Sequence, residues 1–179
     1  MKCAIQLVFN NDNQVVLNNL RKMLVENGVH DGAVPINHIS LADIEIEDDQ
    51  LSLVKSILER FSINHNALNL NLSSVGSFMS KENVLFLAPI MTEELMNYND
   101  ELIDILTKNN ITCGKYYTKD NWQPHCTISI RITDNELFAG FKVLKENNLL
   151  PMTVTANSID LLCYDPKPYK ELARFELKL

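Results

Sequence analysis

Hydrophobic positions in this chain recur at two spacings, every second residue or every third to fourth, and the switches between them mark out its elements. Ile5, Leu7 and Phe9 fall on one side of a strand over Cys3 to Phe9. Leu17, Leu20 and Leu24 then recur at helical spacing from about Asn13 to Asn27, with Gly28 where a left-handed cap belongs. After a loop ending at Pro35, the stretch Ile36 to Ala42 reads as a strand. Asp48 and Asp49 open a second helix whose stripe is Leu51, Val54, Leu58 and Phe61, the acids suiting its positive start. Leu68, Leu70 and Leu72 alternate with Asn69 and Asn71 in a further strand. Ser74-Val75-Gly76-Ser77 reads as a bend before the apolar strand Val84 to Pro89. Thr92, Glu93 and Glu94 start a third helix carrying Leu95, Leu102 and Leu106.

The second half continues in kind. A strand runs from His125 to Ile132, Thr133 and Glu136 form a capping box, and the helix behind them carries Leu137, Phe141 and Leu144. Two strands close the chain, Met152 to Tyr164 and Tyr169 to Leu179, about a Pro166-Lys167-Pro168 turn. Strand, turn, helix and strand follow His38 and then follow His125 in the same order, which predicts an internal duplication in an α+β fold.

Composition narrows the function. With 179 residues, 46% hydrophobic and 22% charged, the chain suits one soluble globular domain over residues 1–179. A net charge of -7 disfavours binding a long nucleic-acid duplex, so any nucleotide ligand is small or is a single RNA end held in a pocket. No stretch is apolar enough to span a membrane, and the opening residues are too polar for a secretory signal; the expectation is a cytoplasmic monomer with no membrane partner. Cys3, Cys113, Cys126 and Cys163 are widely spaced without a C-x-x-C pair and read as reduced structural thiols. There is no H-E-x-x-H, so neither a zinc hydrolase nor any metal or cofactor is expected.

The candidate chemistry lies on the two corresponding strands. One carries His38-Ile39-Ser40 and the other His125-Cys126-Thr127. Residues two apart on a strand face the same way, so His38 shares a face with Ser40. His125, Thr127, Ser129 and Arg131 likewise oppose Cys126, Ile128, Ile130 and Ile132. Two imidazoles and two hydroxyls meeting in a cleft suit in-line displacement at a phosphodiester. A neutral ring takes a proton from the attacking oxygen, a protonated ring gives one to the leaving oxygen, and the hydroxyls donate to the non-bridging oxygens.

Asn37-His38-Ile39-Ser40-Leu41 and Trp122-Gln123-Pro124-His125-Cys126-Thr127-Ile128 resemble the two H-x-[ST] signatures of the two-histidine (2H) phosphoesterase superfamily. The stretch from Ser74 to Phe78, then Val84 to Pro89 and Thr92 to Leu95, is similar to the segment between motifs in its 2′-5′ RNA ligase and cyclic phosphodiesterase branch. The resemblance implies a bilobal fold, two antiparallel sheets related by a pseudo-twofold axis with helices outside and the motifs facing across a central cleft. It implies His38 and His125 as the acid–base pair, here taken as acid and base respectively with the order depending on substrate orientation, and Ser40 and Thr127 as phosphate donors. The substrate class it implies is a 2′,3′-cyclic phosphate on a nucleotide or RNA end, with 2′-5′ ligation as the reverse-type reaction. This chain departs from the pattern with Ser40 in place of threonine, Asn37 in place of proline, and an acidic stretch, Asp43 to Asp49, just beyond.

Phe78, Tyr116, Tyr117 and Trp122 are the aromatics that could stack on a base, a contact worth roughly 1–3 kcal/mol. Core packing is the competing role for Phe78 and Trp122. Arg131 either holds a phosphate or forms a surface salt bridge. The altered first motif and the acidic surface leave a second class open, a module that binds a phosphorylated ligand or RNA end without turnover.

Overall fold

The computed structural model describes residues 1–32, 36–79, 81–165 and 169–179. Its strands are β1 (Lys2–Phe9), β2 (His38–Glu45), β3 (Leu68–Phe78), β4 (Asn83–Pro89), β5 (Cys126–Ile132), β6 (Met152–Asp165) and β7 (Lys170–Glu176). The helices are α1 (Asn11–Glu26), α2 (Leu51–Asn64), α3 (Glu93–Lys108) and α4 (Asp134–Glu146). The helix signals act as expected: Thr92 caps α3, and Thr133 with Glu136 forms the capping box of α4. Helix α1 begins two residues early because the Asn10 side chain accepts from the Asn13 N–H, and Gly28 takes φ +83° just past its end. Asp48 and Asp49 lie in a short 3-10 turn that leads into α2. The residues Pro35 and Pro166 to Pro168 lie outside the described residues.

The strands pair in the order β2-β1-β6-β3-β4-β5, all antiparallel, with β7 added alongside β6. Exchanging β1 with β4, β2 with β5 and β3 with β6 leaves this order unchanged. Two separate sheets were expected; the strands form one continuous sheet instead. Leu68–Leu72 of β3 pairs with Met152–Ala156 of β6 and joins the halves. The long β6 makes this join possible, because its other part pairs with β1 and β7.

Leu17 and Leu24 of α1, Leu58 of α2, Leu102 of α3 and Leu144 of α4 share one buried cluster with Ile39 and Leu41 of β2 and Cys126 and Ile128 of β5. Each such leucine or isoleucine contributes roughly 1.5–3 kcal/mol by leaving water. The helices therefore cover one face of the sheet, and the alternate residues of β2 and β5 look out from the other. Among the described residues, no helix is long and apolar enough to cross a membrane.

The segment Ser74–Ser77 is not the expected bend. Strand β3 continues through it to Phe78, pairing with β4 after a register shift between Leu72 and Ser74. The turn-rich composition has another cause: Gly76 lies opposite Phe86, whose ring occupies the space a Cβ would need. Phe86 in turn packs against the His125 ring, with centroids 5.1 Å apart. Gly76→Val should overpack this site and cost about 1–3 kcal/mol, read as a lower urea midpoint, with a parallel loss of His125 ring order by NMR.

Candidate active site

Strands β2 and β5 stand at opposite ends of the pairing order, yet they lie against each other. The Trp122 indole N–H donates to the Ser40 carbonyl at 3.0 Å, and the Cys126 thiol contacts the backbone of His38. The sheet therefore rolls until its two end strands meet, and no ladder joins them among the described residues.

Both strands break their alternation at the same point. Ile5 opposes Ala42 and Gln6 opposes Ser40, so Leu41 is the extra residue of a bulge in β2. Leu85 opposes Ser129 and Phe86 opposes Thr127, so Ile128 is the extra residue in β5. Each bulge falls three residues after the histidine. Two consecutive residues then turn inward, Leu41 with Ala42 and Ile128 with Ser129. The outward face resumes at Asp43 and Ile130, where strict alternation had placed core residues.

This corrects two expectations on β5. Ser129 is buried and its hydroxyl donates to the His30 carbonyl. Arg131 falls at a further register shift, takes φ +61°, and pairs at the exposed surface with Glu82 at 3.8 Å. It lines neither cavity described below, because the second bulge swings it off the motif face.

The two imidazoles are held alike. His38 Nδ1 lies 2.8 Å from the Ile36 carbonyl, and His125 Nδ1 lies 2.7 Å from the Gln123 carbonyl, two residues back in each case. A carbonyl only accepts, so each Nδ1 carries the proton and each Nε2 is the free nitrogen. The approach to each histidine is fixed by a different device. The ring of buried Pro124 sets the backbone before His125. Before His38, buried Asn37 gives its N–H and its side-chain amide to Gln14, and Gln14 donates back to the Asn37 carbonyl at 2.7 Å. This hydrogen-bonded clamp stands where the family pattern has proline.

Two adjoining cavities open around these rings. One, of about 310 Å³, is lined by His38, Thr127, Gln6, Ile130, Tyr164 and Tyr169 among others. The other, of about 480 Å³, holds His125, Phe78, Tyr116, Trp122 and Gln123. Asp43 and Tyr117 line both. Phe78 packs edge-on against the His125 ring at 4.8 Å and also walls the cavity. The Trp122 indole N–H is fixed on Ser40 and its residue lines the same cavity. Ser40 lies on the motif face but lines neither cavity; its side chain lies against the Tyr117 phenol. Asp43, Tyr164 and Gln6 were not singled out from the sequence, because their places depend on bulges and cross-strand neighbours that no local pattern shows.

Burial pushes the His38 imidazole down to about 4, and the neighbouring His125 adds to this; the bond to the Ile36 carbonyl and the buried carboxylate of Asp160 oppose it. Burial lowers His125 as well, against its carbonyl bond to Gln123. Burial drives the Cys126 thiol up to about 12, leaving it inert beside the site. Below pH 6.5 an unfolded chain protonates a histidine that the folded chain keeps neutral down to about pH 4. Stability from this group is thus complete above that window and is lost as pH falls through it, by up to about 3 kcal/mol. Urea midpoints between pH 7 and pH 4.5 should fall less steeply in His38→Gln than in the parent chain; equal slopes would contradict a His38 held neutral by the fold.

A family model described as the 2′-5′ RNA ligase superfamily matches residues 17–168. No curated protein sequence matches the chain. Among solved structures, the chain is similar to TT0787 of Thermus thermophilus, at 14% identity and TM-score 0.67. It is also similar to E. coli LigT, at 11% identity and TM-score 0.68 in the apo form, and at 13% and 0.67 in a complex with 3′-AMP. Each of these matches covers 99% of this chain and 98% of the other. The paired histidine strands and the family match agree: the chain belongs to the 2′-5′ RNA ligase superfamily of two-histidine phosphoesterases.

Proposed function

We propose that this protein, as one continuous domain over residues 1–179, opens a 2′,3′-cyclic phosphodiester on a nucleotide or RNA end without a metal. The observation that carries this reading is the matched pair of histidines, both with Nδ1 tied to a carbonyl and both with Nε2 free beside adjoining cavities. The repeated β-α-β-α-β order, read as an internal duplication, accounts for the matching. The complex of E. coli LigT with 3′-AMP supports a ribose phosphate as the ligand class.

The roles follow from the electrostatics. His38 is held down to about 4 and is neutral at neutral pH, so its Nε2 is the general base. When the pair shares one proton, His125, the ring nearer solvent, carries it and is the general acid. The sequence leaves the order of the two roles to substrate orientation; the electrostatics favour this one. His38 Nε2 takes a proton from water as the water oxygen bonds to phosphorus. The phosphorus–oxygen bond to one ribose hydroxyl breaks, and that oxygen receives the Nε2 proton of His125. Thr127 donates to a non-bridging oxygen, and Tyr117, with Ser40 beside it, lines the same cavity. With an RNA hydroxyl in place of water, the same proton movements run in the sense of 2′-5′ ligation.

Incubation with 2′,3′-cyclic nucleotides in EDTA should give ring-opened monophosphate. His38→Ala and His125→Ala should each lower kcat/KM by about 10²–10⁴-fold. Tight binding without product, or a strict metal requirement, would contradict the proposal; binding alone would favour the non-catalytic module.

The base must be neutral and the acid protonated, so kcat/KM needs a pH above the His38 value and below that of His125. Both are lowered from 6.5, and the profile should peak between about pH 4 and 6.5, with limbs that belong to the pair. A peak above pH 7.5 would contradict it.

A further inference from the structure

The acidic stretch after the first motif contributes one side chain to the site. Glu45, Glu47, Asp48 and Asp49 are exposed, whereas the β2 bulge turns half-buried Asp43 onto the face of His38 and Ser40. The corresponding position on β5, also five residues after the histidine, is Ile130, so this carboxylate has no counterpart across the cleft.

Asp43 is held rigidly. Its carbonyl accepts from the Gly114 N–H at 2.7 Å, and its Oδ1 accepts from the Tyr164 hydroxyl at 2.6 Å. A carboxylate has about four lone-pair sites, and among the described residues this one accepts a single hydrogen bond, on Oδ1. Asp43 lines the cavity walled by Phe78, Tyr116, Tyr117 and Trp122. A fixed acceptor beside aromatic walls suits a flat ring that stacks and presents N–H donors on one edge. Of the common bases, guanine alone offers two adjacent donors, N1–H and the N2 amino group, to a carboxylate. Adenine and cytosine each set a ring acceptor beside their amino group, which the carboxylate repels, and uracil offers one donor.

We infer that Asp43 makes this site selective for guanine, so that the preferred ligand is a guanosine 2′,3′-cyclic phosphate or an RNA end closing on guanosine. The inference rests on the proposed phosphodiesterase reading for its phosphate and on Asp43 and the aromatic cavity for its base.

The test compares guanosine and adenosine 2′,3′-cyclic phosphates as substrates of the parent chain and of Asp43→Asn. The parent should favour guanosine at least tenfold in kcat/KM, and the variant should bring that ratio close to one, because an amide places a donor against guanine. Calorimetry with guanosine and adenosine 5′-monophosphates gives the same comparison without turnover. Selective guanosine binding that Asp43→Asn abolishes, in a protein that hydrolyses neither cyclic nucleotide, would uphold the base site and remove the phosphodiesterase reading. Equal handling of the two bases by the parent, or a guanosine preference that survives Asp43→Asn, would overturn the inference.

Discussion

The site depends on one constraint: a single antiparallel sheet must roll far enough for its two end strands to face each other while remaining unpaired. End strands of open sheets usually point away from one another and leave their backbone groups free. Here β2 and β5 meet, held by the Trp122 indole on the Ser40 carbonyl and by Cys126 against the His38 backbone. Each histidine stands at the entrance of its strand with Nδ1 on a carbonyl two residues back. That short-range bond fixes tautomer and ring direction together, so each Nε2 is free. The join between β3 and β6 makes the two halves one sheet.

Most of the fold was legible in the sequence because its elements obey simple periods. The stripe of Leu17, Leu20 and Leu24 and the caps at Thr92 and Thr133 acted as local rules require. The Ser74–Ser77 stretch misled for a physical reason: its glycine makes room for the Phe86 ring across the strand, and small residues chosen for a neighbour look like residues chosen for a turn. The number of sheets was not legible, since strand partners are set by curvature and long-range packing that no window of sequence contains.

Both histidines, Thr127 and the aromatics Phe78 and Trp122 could be named from the sequence and stand together around the cleft. What strict alternation missed lies beyond the bulges at Leu41 and Ile128. One inserted residue exchanges the faces of a strand, bringing Asp43 and Ile130 outward and taking Ser129 in. A second shift removes Arg131. Among the described residues lining the two cavities, the donors for an anion are imidazoles, hydroxyls and amides, and Asp43 supplies an acceptor. A protein with a net charge of -7 can hold a phosphate this way, because short bonds in a partly buried site outweigh a diffuse field screened by salt.

The central claim is that two imidazoles in one tautomer share one anion, and nitrogen-15 NMR of the histidine rings tests it most directly. On titration with a nucleoside 2′-monophosphate, His38 and His125 should both keep the Nδ1 proton, and both Nε2 signals should move along one saturation curve toward the protonated form. A response confined to one ring, or a neutral His38 carrying its proton on Nε2, would contradict the account.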